Sequence, residues 1–164
     1  MTTCCGQFKV QFSLRRAEND GPVFKKQDGD RFESNITVKL NVNTKYSVVL
    51  TTRPARTVQR VFIKSQKLEI SLQKPQRNDD NCCVYHADWS TLGYDVNKSN
   101  IRTYLPIVLE MEAGQRVEAK LQVKLYPETE TTHSKWGDEF HMLDLDCCPS
   151  QDKTSVEIKK MQYI

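Results

Sequence analysis

The chain is dominated by alternation of apolar and polar positions. Phe8, Val10, Phe12 and Leu14 are separated by Lys9, Gln11 and Ser13, the period of a strand buried on one face. Ile36, Val38 and Leu40 repeat the pattern, and Tyr46 to Leu50, Val61 to Ile63, Leu68 to Leu72 and Cys83 to Trp89 read as further strands. The clearest signal is a pair of rows. Ile101, Thr103, Leu105, Ile107, Leu109 and Met111 share one face, and Val117, Ala119, Leu121, Val123 and Leu125 share another, with Glu112-Ala113-Gly114-Gln115 between them. A short loop containing glycine between two such rows predicts a β-hairpin. Pro106 carries no N–H, which predicts an edge position or a bulge for the first of these strands. Phe140 to Cys147 is a further strand, and Thr154 to Ile158 reads as a last strand or a short helix.

Turn signals separate these segments: Asn19-Asp20-Gly21-Pro22, Asp28-Gly29-Asp30, Arg53-Pro54, Lys74 to Asn81 and Asn97-Lys98-Ser99-Asn100. No segment sustains a helical period. The pattern predicts an all-β protein of nine or ten strands, a sandwich or a barrel. It is expected to form a single domain over residues 1–164, with 1–6 as a flexible tail.

Composition fits that architecture. The hydrophobic fraction of 38% is low, as expected when half of each strand faces water. Lys and Arg number 24 against 21 Asp and Glu, a net charge of +3, and the basic residues are scattered, so no nucleic-acid footprint is present. No apolar run approaches the ~18 residues of a membrane span, and Met1 to Gly6 lack the features of a secretory signal. A cytoplasmic protein with reduced cysteines is the expectation.

The six cysteines form three adjacent pairs, Cys4–Cys5, Cys82–Cys83 and Cys147–Cys148. Neighbours on a strand point to opposite faces, so a pair cannot readily share one metal ion, and no Cys-x-x-Cys spacing occurs. Cys4 and Cys5 precede the first strand and are candidate S-acylation sites, which would recruit the chain to the inner face of the plasma membrane. Thr2 excludes myristoylation.

Catalytic constellations are missing from the sequence. His86, His133 and His141 stand at no metal-ligand spacing, and no phosphate loop or nucleophile elbow occurs. His86 and Asp88 share a strand face, where an exposed polar face explains them more simply than a base with its orienting carboxylate. No enzyme, no metal and no cofactor is expected.

Several segments together carry a resemblance: Asn19-Asp20-Gly21-Pro22-Val23-Phe24, Asp28-Gly29, Arg31-Phe32, Thr37-Val38-Lys39-Leu40, Gln122-Val123-Lys124-Leu125-Tyr126, His133, Trp136-Gly137, Phe140, Cys147 and Pro149. Read with the overall length, they resemble the cannabinoid receptor-interacting protein 1 family. The middle, 51–99, matches poorly, and Gln162 departs from the Ser-containing PDZ ligand in which members of the family can end. The resemblance implies a non-enzymatic cytosolic adaptor that binds the C-terminal tail of the type 1 cannabinoid receptor, or a related receptor tail, and modulates its signalling. It also implies an antiparallel, immunoglobulin-like β-sandwich like that of Rho GDP-dissociation inhibitors, with an apolar interior that admits a lipid chain.

Two uses of a sandwich are therefore expected. In the first, an exposed strand edge or loop grips an extended receptor tail. Trp136, which follows a polar loop, and Phe140 are its candidate partner-binding residues. In the alternative, the facing rows Ile101–Met111 and Val117–Leu125 line a cavity that carries lipid or lipid-modified protein.

Overall fold

Alternating side chains become strands that bury one face and wet the other. The computed structural model describes residues 6–73, 81–152 and 155–164. Among them the strands are β1 (Phe8–Arg16), β2 (Val23–Gln27), β3 (Ile36–Asn41), β4 (Lys45–Arg53), β5 (Val58–Ile63), β6 (Gln66–Lys67), β7 (Ile70–Gln73), β8 (Cys83–Ser90), β9 (Thr103–Met111), β10 (Arg116–Tyr126), β11 (Asp138–Phe140), β12 (Leu143–Pro149) and β13 (Val156–Tyr163). One sheet has the order β13-β12-β1-β4-β8-β7, and the other β11-β2-β3-β10-β9-β5-β6. The rows Phe8–Leu14, Tyr46–Leu50, Leu105–Met111 and Val117–Leu125 meet in one buried cluster. The all-β sandwich read from the sequence is the architecture observed.

The hairpin between β9 and β10 is as predicted, with antiparallel register from Glu110 opposite Arg116 to Thr103 opposite Val123. A short 3-10 turn joins them, and Ala113 and Gly114 both take positive φ there, 61° and 74°.

Four readings are corrected. First, the strands number thirteen among the described residues, because β2, Val23-Phe24-Lys25-Lys26-Gln27, shows no alternating row and two segments cross between sheets. The segment around the run Leu68–Leu72 divides into β6, just before it, which closes a hairpin with β5, and β7, which pairs with β8 in the other sheet. Leu68 at the crossing is buried, its N–H donating to the Val61 carbonyl at 2.9 Å. Likewise Phe140 ends β11 in one sheet while Leu143 starts β12 in the other. Second, the second sheet is mixed. β3 and β10 run parallel from Val38 opposite Val123 to Asn41 opposite Tyr126, and a side-chain pattern carries no information on strand direction. Third, β13 is a strand reaching Tyr163. A bulge between Asp146 and Cys147 shifts the pairing, so Ile158 and Tyr163, an odd number of residues apart, both pack against the core. Strict alternation therefore stops at Ile158.

Fourth, β9 is an interior strand between β10 and β5. Pro106 is accommodated because the β5 ladder stops at Ile63, opposite Ile107. The Pro106 carbonyl accepts the Lys64 N–H at 2.9 Å, so its donorless nitrogen faces the point where β5 turns away. Ile101 falls outside β9 and is 47% exposed.

Candidate partner-binding surface

The two sheets end side by side along β10 and β13. β3 pairs with β10 only from Val123 onward, which leaves the first half of β10 with β9 as its single strand partner among the described residues. β13 is the edge of the other sheet. Between them runs a groove of about 430 Å³, lined by Glu118, Ala119, Lys120 and Gln122 on one side and by Ile158, Met161 and Tyr163 on the other. It continues past Glu118 and Ile158 into a second hollow of about 490 Å³ beside Arg116 and Val156. At the closed end the Tyr163 hydroxyl accepts the Gln122 N–H at 3.0 Å.

A buried polar cluster holds that closed end. Arg102 is fully withdrawn from solvent and grips Asp28 with two bonds, Nε to Oδ2 at 3.0 Å and Nη2 to Oδ1 at 3.2 Å. The Thr37 hydroxyl also bonds Asp28, and Gln122 Nε2 donates to Thr37 at 2.9 Å and to the Ser34 carbonyl at 2.9 Å. Burial alone would raise the Asp28 carboxyl, but the bonds from Arg102 and Thr37 hold it below the ordinary range. The turn after Asp28 is thereby fixed against β3 and β10. Sequence reasoning missed this cluster because its members are scattered from 28 to 122. Off-phase Arg102, just before a strong strand, was the available hint.

On the outer face of the same sheet, Lys39 supports the loop that carries Trp136. Lys39 Nζ donates to the carbonyls of His133 at 3.0 Å and Trp136 at 2.5 Å, and stands 5.4 Å from the indole centroid. Its pKa is lowered by burial, and the charges of Lys26 and Lys124 act in the same direction. Asn41 Nδ2 ties the Pro127 and Glu130 carbonyls from below. Gly137, at φ 116°, lets the loop approach closely, since a Cβ there would lie 3.1 Å from the Lys25 carbonyl oxygen. The loop is braced, yet Trp136 is 71% exposed.

Trp136 and Phe140 are separated by their surroundings. Phe140 is buried, its ring 6.2 Å from that of Tyr163, so it supports the wall of the groove from within and offers no surface. Cys4 and Cys5 lie outside the described residues. Cys147 is buried and free, whereas Cys148 is disulfide-bonded, against the expectation of reduced cysteines. His86 and Asp88 sit on the exposed face of β8. The last residue is held down: the Ile164 carbonyl accepts the N–H groups of His141 at 2.6 Å and Met142 at 3.1 Å. The rows expected to enclose a lipid are filled core, with Leu105, Ile107, Leu109, Leu121 and Val123 in one buried cluster. The Thr103 hydroxyl accepts a hydrogen bond from Asn97 Nδ2 at 2.9 Å. Lipid carriage finds no support in this packing. Among the described residues, no helix is long and apolar enough to cross a membrane.

Residues 5–163 match the family described as CB1 cannabinoid receptor-interacting protein 1. Curated proteins of that name are similar over 160 residues, covering 97% of both chains: the human and bovine proteins at 28% identity and the mouse protein at 29%. Their name describes receptor interaction and no reaction.

Proposed function

The chain belongs to the CB1 cannabinoid receptor-interacting protein 1 family, and from that premise we propose that it is a non-enzymatic cytoplasmic adaptor. It binds the C-terminal tail of the type 1 cannabinoid receptor, or of a related G-protein-coupled receptor, and modulates its signalling. The observation that carries this reading is the match across residues 5–163 to a family named for that receptor. The surface is compatible with it. An exposed tryptophan on a braced loop is the kind of anchor that dominates peptide interfaces, and a free strand edge recognises extended chain through backbone groups.

Calorimetric titration with a peptide of the receptor tail tests the proposal. Saturable binding in the roughly micromolar range is expected, with a scrambled peptide inert. Trp136→Ala should weaken the tail at least ~10-fold if the indole is an anchor. Heat flow that stays flat up to high-micromolar peptide removes the receptor reading.

A further inference from the structure

We propose that the vacant place beside the first half of β10 receives an extended segment of another protein, in which apolar and acidic residues alternate, as an added strand of the second sheet. The identification of that segment with a receptor tail rests on the proposed function; the site itself stands on the geometry that follows.

Lys120 lies opposite Pro106, whose carbonyl is turned toward Lys64 on the far side of β9. In an antiparallel ladder such a pair exchanges no bonds, and both residues direct their main-chain groups outward. The N–H and C=O of Lys120 therefore face the groove. Gln122 has the same phase, and its N–H does reach across to Tyr163. Glu118 has that phase as well. Two residues of β10 thus present donors and acceptors where β3 has diverged, the condition under which an extended chain adds to a sheet.

Side chains define the chemistry of the occupant. Half-buried Val156 and Ile158 of β13 pack against the core at the margin of the vacancy. An added strand would set every second side chain over them, which calls for apolar residues. The alternate positions point to the rim. There Arg116 pairs with Glu118 at 2.7 Å and Lys159 with Glu157 at 3.0 Å, which leaves Lys120 and Lys160 without an ion pair among the described residues. Glu33 stands at the closed end. The surplus is cationic, and acidic side chains complement it.

Two probes distinguish this inference from the receptor reading: a capped peptide of about eight alternating Val and Glu residues, a typical strand length, and the receptor-tail peptide. Hydrogen exchange of the wild-type amides is followed with each, and affinities are measured for Lys120→Pro and Lys120→Ala. Proline at 120 removes the outward N–H without costing the β9 ladder a bond. The Val-Glu peptide is expected to protect the amides of Glu118 and Lys120, and Lys120→Pro to weaken it at least ~10-fold, against no more than ~3-fold for Lys120→Ala. A peptide of alternating Val and Lys should bind more weakly. Unchanged exchange at both amides with the Val-Glu peptide and with the receptor peptide alike overturns the inference even if Lys120→Pro folds poorly, since that readout uses the wild type. Tail binding that protects other amides, with the Val-Glu peptide also silent at Glu118 and Lys120, overturns the site and spares the receptor reading. The Val-Glu peptide binding here while the receptor tail does not does the reverse. A concentration-dependent dimer abolished by Lys120→Pro would assign the vacancy to a second copy of the chain and overturn the inference.

Discussion

Replacing Arg102 by methionine removes a guanidinium from which every contact is inside the fold. Two charge-assisted bonds to Asp28 are lost, together with bonds to the Ser99 and Ile101 carbonyls, both 3.1 Å, and the stacking of the cation 4.3 Å from the Phe32 ring centroid. The dominant cost is what remains: a carboxylate only 4% exposed, with Thr37 and the more distant Lys26 Nζ at 3.8 Å for company. Breaking one partner from a buried pair costs ~3–5 kcal/mol. Arg102→Met should be destabilised by that amount, and Asp28→Asn combined with Arg102→Met by clearly less, since the orphaned charge is then gone. The sign of the pH response separates this cause from lost packing. In the wild type the Asp28 pKa is lowered, so its contribution is present above the unfolded value and is lost as pH falls through the folded one. In Arg102→Met the buried, unpaired carboxyl should be raised instead, so its penalty should shrink as pH falls from about 7 toward about 5. Urea unfolding followed by tryptophan fluorescence reads both, because Trp89 is buried at 1% exposure while Trp136 is already in water. A loss below about 1 kcal/mol, or one indifferent to pH over that range, would refute the reasoning.

Other sites give sharper single readouts. Leu121, 1% exposed between the sheets, should cost ~2–5 kcal/mol when changed to alanine, measured by the same unfolding assay. The Cys147 thiol is pushed up to about 12 by burial, with the Asp146 charge adding to it, so an alkylating reagent near neutral pH should label it only after denaturant is added. Ala113 sits at φ 61°, a conformation glycine adopts without cost; Ala113→Gly should stabilise the hairpin by up to ~1 kcal/mol in thermal unfolding.

Sheets were legible where alternation was strict. Phe8–Leu14 and Val117–Leu125 declare their buried faces because a period of two admits one solution once one side is wet. What was not legible depends on partners distant in the chain. Pro106 looked like an edge residue, and only the end of the β5 ladder at Ile63 explains its interior place. Leu68 and Ile70 look like one strand, and only the packing reveals that a sheet boundary falls between them. The groove was out of reach for the same reason: Lys120 is an ordinary exposed lysine until it is known that β3 joins β10 only from Val38 onward and that β13 arrives beside it. The exposure of Trp136 is what its polar surroundings in the sequence lead one to expect. Phe140 lies four residues on but points inward, which local sequence does not tell apart.

The parallel contact of β3 with β10, and the seating of β1 between β4 and β12, carry a consequence for the chain during its own synthesis. β3 waits for Val123–Tyr126, and β1 waits for Leu143–Cys147, so neither sheet can complete itself from what has already emerged. Pairings of such long range are slow to find, and apolar strands left waiting are open to the wrong neighbours. Phe8, Phe12, Val38 and Leu40 therefore emerge long before the strands that flank them on one side, and until those strands arrive they are open to wrong neighbours.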